Sequence, residues 1–183
     1  MQDVKIVGIS GSLRKGSYNT ALLRAAQELL PQGATLEILD ISQLPLYNED
    51  EENNFPETVR VFKAKLEAAN AVLLATPEYN HSFSGVLKNA LDIASRPREQ
   101  NSLMGKPVAI VGASIGTMGT ARAQAQLRAQ FTAFNIRDVK QPEVLLGRAQ
   151  ESFDEEGHLA DEAARTLLRQ LLEALVSLAR TGQ

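Results

Sequence analysis

The chain has no cysteine among its 183 residues. That removes disulfides, thiolate metal sites and cysteine nucleophiles from consideration. Histidine is almost as scarce, with two in all, His81 and His158. No second ligand is recognisable near His81, so no metal is expected. His81 is read as a loop residue meeting substrate or solvent, and His158 as a surface residue. An excess of positive charge is also missing: the formal net charge is −3 at pH 7. That argues against nucleic-acid and anionic-membrane partners. No apolar run approaches the roughly 20 residues that a membrane span needs. The opening "MQDVKIVGIS" enters a strand at once and leaves no room for a signal peptide. The expectation is a cytoplasmic protein.

Apolar residues make up 44% of the chain, enough for a real core. The length suits a single domain over residues 1–183. Strand-like and helix-like stretches alternate along it. Val4–Ser10, Thr35–Ile41, Ala71–Pro77, Pro107–Ser114 and Glu143–Gly147 read as strands. Tyr18–Leu30, Pro56–Asn70, Gly85–Ser95, Thr120–Phe134 and Asp161–Arg180 read as helices. The runs "AVLLATP" and "PVAIVGAS" are nearly all apolar, as strands buried on both faces should be. Repeated βα units imply a parallel sheet with crossover helices on both faces, a doubly wound α/β sandwich. The acidic, proline-bounded segment Ser42–Pro56 is the most irregular. It reads as a solvated loop or, more sharply, as a lid or subunit contact.

In such a sheet, ligands bind outside the carboxyl ends of the strands, where strand order reverses. For the order 2-1-3-4-5 that point lies between strands 1 and 3. Three unusual loops fall on this edge. The first, "SGSLRKGSYN", matches no common phosphate pattern. The spacing of Gly8, Gly11 and Gly16 is not a dinucleotide fingerprint. Gly11 and Gly16 have Walker spacing, but Ser17 and Tyr18 stand where Lys and a hydroxyl residue are required. What remains is a set of donors at a helix N-terminus. Ser10, Ser12, Ser17 and Thr20 bring hydroxyls, Leu13 to Tyr18 bring main-chain N–H groups, and Arg14 brings a planar charged fork. That inventory suits one phosphate monoester held without metal; the plainer reading is a capped glycine-rich turn.

The second loop, "TPEYNHSFSG", could border a flat heterocycle with Pro77, Tyr79 and Asn80. It could equally be a turn in which Asn80 supplies left-handed geometry. The third, "GASIGTMGTA", has Ser114, Gly116 and Gly119, small enough for close backbone approach to a ring. Arg122, near the start of the following helix, is a better functional candidate than Arg128.

Taken together, "GSLRKGSYN", "PEYNHSFSGVLKNALD" and "GASIGTMGTARAQAQLR" resemble the NADPH-dependent FMN reductase family, with its quinone, chromate and azo reductases of flavodoxin-like fold. The resemblance spans nearly the whole chain. It implies a flavodoxin-like five-stranded parallel sheet with FMN at the carboxyl edge. Ser10, Ser12, Arg14, Ser17, Asn19 and Thr20 would surround the phosphate, with Leu13 and Tyr18 beside them. Pro77, Glu78, Tyr79 and Asn80 would border the ring, largely through backbone, with Ser114 and Gly116 at its other side. NADPH, or NADH, would be a transient hydride donor. The acceptor would be a small molecule: a quinone, flavin, azo compound or metal oxyanion. No side chain is expected as an obligatory acid or base. A homodimer or a tetramer of two dimers is implied, with Phe83, Leu87 and the Tyr47 loop as candidate contacts. The chain departs from many members at Ile93, where Trp is common, and at Thr120, where a second Gly is common. A flavodoxin-like electron carrier or a flavin-binding regulator is the competing class. The basic first loop and long second loop favour the reductase.

Overall fold

A computed structural model describes residues 3–181. The strands are β1 Val4–Ser10, β2 Ala34–Leu39, β3 Ala71–Ala75, β4 Pro107–Ala113, β5 Arg137–Asp138 and β6 Val144–Leu146. All neighbours run parallel, in the order β2-β1-β3-β4-β5, with β6 also on β4. The expected doubly wound sheet is therefore present, with one change at its edge. The fifth position is filled by two short pieces. β5 pairs with Pro107–Val108 and β6 with Val111–Ala113. Pro142 lies between them and has no N–H to give a ladder.

The helices are α1 Tyr18–Leu29, α2 Glu57–Ala68, α3 Gly85–Ala94, α4 Ala121–Phe134 and α5 Glu162–Arg180. They divide between the two faces. β3 and β4 are buried along their whole length, and alternate side chains feed opposite cores. Leu73 and Ala75 meet α1 and α5, whose Leu22, Leu23, Leu168 and Leu172 fill one core. Val72 and Leu74 meet α2, α3 and α4, whose Phe62, Leu91 and Phe131 fill the other. The nineteen residues of α5 form the longest amphipathic face, started by Asp161, whose carboxylate accepts from the N–H groups of Ala163 and Ala164.

One sequence expectation changes here and another gains detail. Leu87 is wholly buried against its own core, so it is not a subunit contact. The Ser42–Pro56 segment contains a short 3₁₀ turn at Glu49–Asn54 and is moored to α3. The Asn89 carboxamide accepts from Tyr47 N–H at 2.8 Å and donates to the Pro45 carbonyl at 2.7 Å. The Tyr47 hydroxyl donates to Glu52, and that bond pushes its pKa up to about 12. The two family departures are also packed inside. Ile93 is fully buried, and Thr120 sits against Gly112 so closely that a Cβ there would stand 2.0 Å from the Thr120 hydroxyl.

Candidate functional site

The carboxyl ends of β1, β3 and β4 lie side by side because β1 and β4 flank β3. Their loops meet around one crevice of about 510 Å³. The first loop contributes Ser12, Arg14, Ser17, Tyr18 and Asn19. The second contributes Pro77, Glu78 and Tyr79, and the third Ala113, Ser114 and Ile115. Ser10, Leu13 and Thr20 line an adjoining recess of about 340 Å³ toward β2, which shares Ser12 and Arg14 with the crevice. Asn80 and Gly116 line neither space. Asn80 sits at the tip of an exposed turn, and Gly116 lies outside the third-loop wall.

The first loop is fastened in ways that decide which donors it can offer. Gly11 N–H donates to the Ala75 carbonyl at 2.7 Å. A side chain there would strike the Ser84 hydroxyl, its Cβ only 2.8 Å away, so glycine lets the first and second loops touch. Thr20 donates its hydroxyl to Ser10 Oγ at 2.9 Å, and Ser10 Oγ accepts Ser12 N–H at 3.3 Å. Ser17 caps α1 by accepting Thr20 N–H. Asn19 is buried and bound to β4 by two bonds of 3.0 Å. Its amide donates to the Ala113 carbonyl, and its oxygen accepts Ala113 N–H. Expected among the phosphate residues, its side chain instead holds the start of α1 to the end of β4. Left over are the N–H groups of Leu13 to Gly16 and of Tyr18 and Asn19, which meet no acceptor among the described residues, and the Arg14 guanidinium, which has no carboxylate partner there. Positive potential from the helix start and the free guanidinium therefore coincide.

The second loop is a tight hairpin. Tyr79 and Ser82 exchange both main-chain bonds, and Asn80 and His81 take φ of 51° and 64° between them. Positive φ at both central residues is what a type I′ turn requires, and Asn supplies it readily. Glu78 lines the crevice beside Pro77 and Tyr79, and its carboxylate reaches α4. Its carboxylate accepts from the N–H groups of Arg122 and Ala123 at 3.0 and 3.1 Å and pairs with the Arg122 guanidinium at 3.3 Å. Thr120 stands at the cap position, but its hydroxyl accepts from the Gln124 side chain and from no helix N–H, so Glu78 caps α4 from another loop. Gln126 adds a second tie, accepting from the Ser82 hydroxyl and donating to the His81 carbonyl. Arg122 is thus engaged with Glu78, and Arg128 with Asp138 at 2.6 Å.

The crevice offers hydrogen-bond donors at one end and apolar or main-chain walls at the other. Two of its lining residues are exposed apolar side chains: Tyr79 and Ile115 are 53% and 70% exposed. Sequence reasoning missed Ile115 and Ala113. The exposed isoleucine between Ser114 and Gly116 was the available signal. The capping by Glu78 and the Gln126 tie had no local signal. The donor set fits a phosphate monoester carrying a flat ring system.

The comparisons with known proteins agree with this geometry. The family described as NADPH-dependent FMN reductase matches residues 4–151. An NAD(P)H-dependent FMN reductase of Pseudomonas aeruginosa is 52% identical over 174 residues, covering 94% of each chain. A 2-hydroxy-1,4-benzoquinone reductase of a Burkholderia species is 41% identical and covers 93% of each. Among solved structures, the flavoenzyme NAD(P)H:(acceptor) oxidoreductase FerB of Paracoccus denitrificans superposes with a TM-score of 0.89 at 36% identity, covering 97% of this chain and 98% of its own.

Proposed function

The chain belongs to the NADPH-dependent FMN reductase family, and from that premise we propose how its residues divide the work of an FMN-dependent NAD(P)H:acceptor oxidoreductase. FMN held in the crevice would supply the redox chemistry, hydride uptake from NAD(P)H and two-electron transfer to an acceptor. The phosphate is held by the N–H groups of Tyr18 and Asn19, the Ser12 hydroxyl and Arg14. Ser10 and Thr20 shape that loop through their hydroxyl bond to one another, while Ser17 accepts Thr20 N–H and keeps its own O–H for the phosphate. Pro77 to Tyr79 border the ring, with Ser114 and Ile115 opposite. Main-chain N–H groups favour negative charge on a ring placed there. The observation that carries this reading is the unpaired Arg14 beside a free helix start, at one end of a crevice with apolar walls.

A quinone is the favoured acceptor class, since quinone reductases recur among the relatives. Donor and acceptor use the same open side of the crevice in turn. No helix among the described residues is long and apolar enough to cross a membrane, and the protein works in the cytoplasm. Exposed Tyr79 and Ile115 at the crevice, with exposed Met118 further along the third loop, support a dimer formed over this edge.

The test is a purified, FMN-loaded preparation given NADPH and then a quinone. Expected are bleaching of the flavin band, sustained NADPH consumption and parallel double-reciprocal plots. Intersecting plots would reject the shared opening. A flavin that NADPH cannot bleach would leave an electron carrier standing. Sedimentation at a single-chain mass across micromolar concentrations would remove the dimer.

A further inference from the structure

Arg14 is exposed, and an exposed arginine has many rotamers to lose when it grips a ligand. In this chain something already restricts it. Its guanidinium carbon stands over the Tyr18 ring, 5.3 Å from the centroid. Tyr18 is the first residue of α1, directly after the Ser17 cap, so its backbone is fixed by the helix. Its ring is fixed by a second aromatic: Phe153 stacks on it with centroids 5.3 Å apart and planes inclined by 29°.

Phe153 comes from a distant part of the chain, just beyond the residues matched by the family. It is not free to move. It pairs with Leu159 across a small hairpin, and Leu159 is buried. The turn is closed by Asp154 N–H to the His158 carbonyl at 3.0 Å and by His158 N–H to the Asp154 carboxylate at 2.7 Å. Both Tyr18 and Phe153 lean on the core shared by α1 and α5. The order is therefore core, hairpin, Phe153, Tyr18, Arg14.

We propose that Phe153, acting through Tyr18, is a positioning residue that holds the Arg14 guanidinium ready for a phosphate monoester, and so sharpens the preference for FMN over unphosphorylated riboflavin. The inference rests on the reading that Arg14 meets the phosphate. A guanidinium held on a ring face loses less freedom on binding, and a ring braced from behind presents that face in one orientation. Riboflavin has no phosphate, so its binding does not report the position of Arg14.

The test titrates the full chain, freed of flavin, with FMN and with riboflavin separately. The variants are Phe153→Ala, Phe153→Tyr, Arg14→Ala and the double variant Arg14→Ala/Phe153→Ala. Phe153→Ala should weaken FMN by about two- to five-fold, the size of an exposed cation–π contact, and leave riboflavin unchanged. Phe153→Tyr should restore the original ratio. The double variant should bind FMN no more weakly than Arg14→Ala alone, because residues acting through one contact are not additive. If Arg14→Ala lowers the FMN-to-riboflavin preference but Phe153→Ala does not, the positioning role is overturned and the phosphate reading stands. Equal weakening of both flavins by Phe153→Ala, or additive losses in the double variant, also overturn it. An unchanged preference in Arg14→Ala overturns the phosphate reading itself, and this inference with it. Should Phe153→Ala not fold, Tyr18→Leu replaces it, with the same selective loss expected and equal losses overturning the proposal.

Discussion

The first and second loops line the same crevice but use their polar side chains in opposite ways. The second loop commits Thr76, Glu78, Ser82 and Ser84 to the protein and turns Asn80 and His81 out to solvent. Glu78 caps α4, and the Ser82 hydroxyl and His81 carbonyl are taken by Gln126. What it presents to the crevice is the Pro77 ring, the Tyr79 ring and main chain. The first loop commits Asn19, Ser10 and Thr20 but leaves the Ser17 O–H, Arg14 and the start of α1 without an acceptor among the described residues. The difference matches two kinds of ligand surface. A flat ring needs a rigid, shaped wall, whereas an anion needs donors that no protein acceptor has claimed.

The comparison can be broken most severely at Asn19. Asn19→Ala would strip two bonds from the buried Ala113 peptide at the end of β4 and unfasten α1 from it. A loss of about 2–4 kcal/mol of stability is expected, from two buried main-chain groups left unsatisfied. Chemical denaturation checks it, and a midpoint unchanged from the native chain would show the clamp to be dispensable.

Arg14→Ala comes next and acts on binding rather than folding. FMN should bind more weakly by about 1.5–3 kcal/mol, the range for a hydrogen bond to a charged group, while riboflavin affinity and denaturation midpoint stay put. Isothermal titration separates the two ligands. Equal losses would mean that the first loop is frame, like the second.

Glu78→Ala should do the reverse. Removing a cap from α4 is expected to lower stability by about 1 kcal/mol, with FMN and riboflavin weakened alike because the whole second loop loosens. Glu78→Gln keeps an acceptor oxygen and should recover part of that loss. A phosphate-selective defect in either variant would contradict the division of labour. The smallest effect is expected at Gln126→Ala, roughly 0.5 kcal/mol of stability, since its bonds lie at an exposed site. Thermal melts resolve a change of that size.

How far these roles could be read beforehand depended on distance along the chain. The three loops were legible because each carries its own local signature: glycines and hydroxyls before a helix, a proline and asparagine at a turn, small residues after a buried strand. The left-handed Asn80 was legible for the same reason. Its place in the crevice was not, because the hairpin turns its tip into solvent. Phe83 and Tyr47 remain partly buried at the surface, as a contact residue needs, whereas Leu87 does not. A helical leucine looks the same in sequence whether it faces a core or a neighbour.

By itself, the sequence determined the alternation of strands and helices, the buried character of β3 and β4, and the stock of donors at the carboxyl edge. Those follow from periodicity and local chemistry, which act over a few residues. Which donors stay free was decided only by tertiary structure. Asn19 is consumed by Ala113, 94 positions away, and Glu78 by the start of α4, 44 positions away. Arg14 is spared because the acids nearest the crevice are engaged elsewhere, Glu78 with α4 and Asp40 with Ser42, and it is aimed by Tyr18 and Phe153, which meet across most of the chain. A polar side chain can satisfy only so many partners, and the fold chooses them by bringing distant segments within about 3 Å.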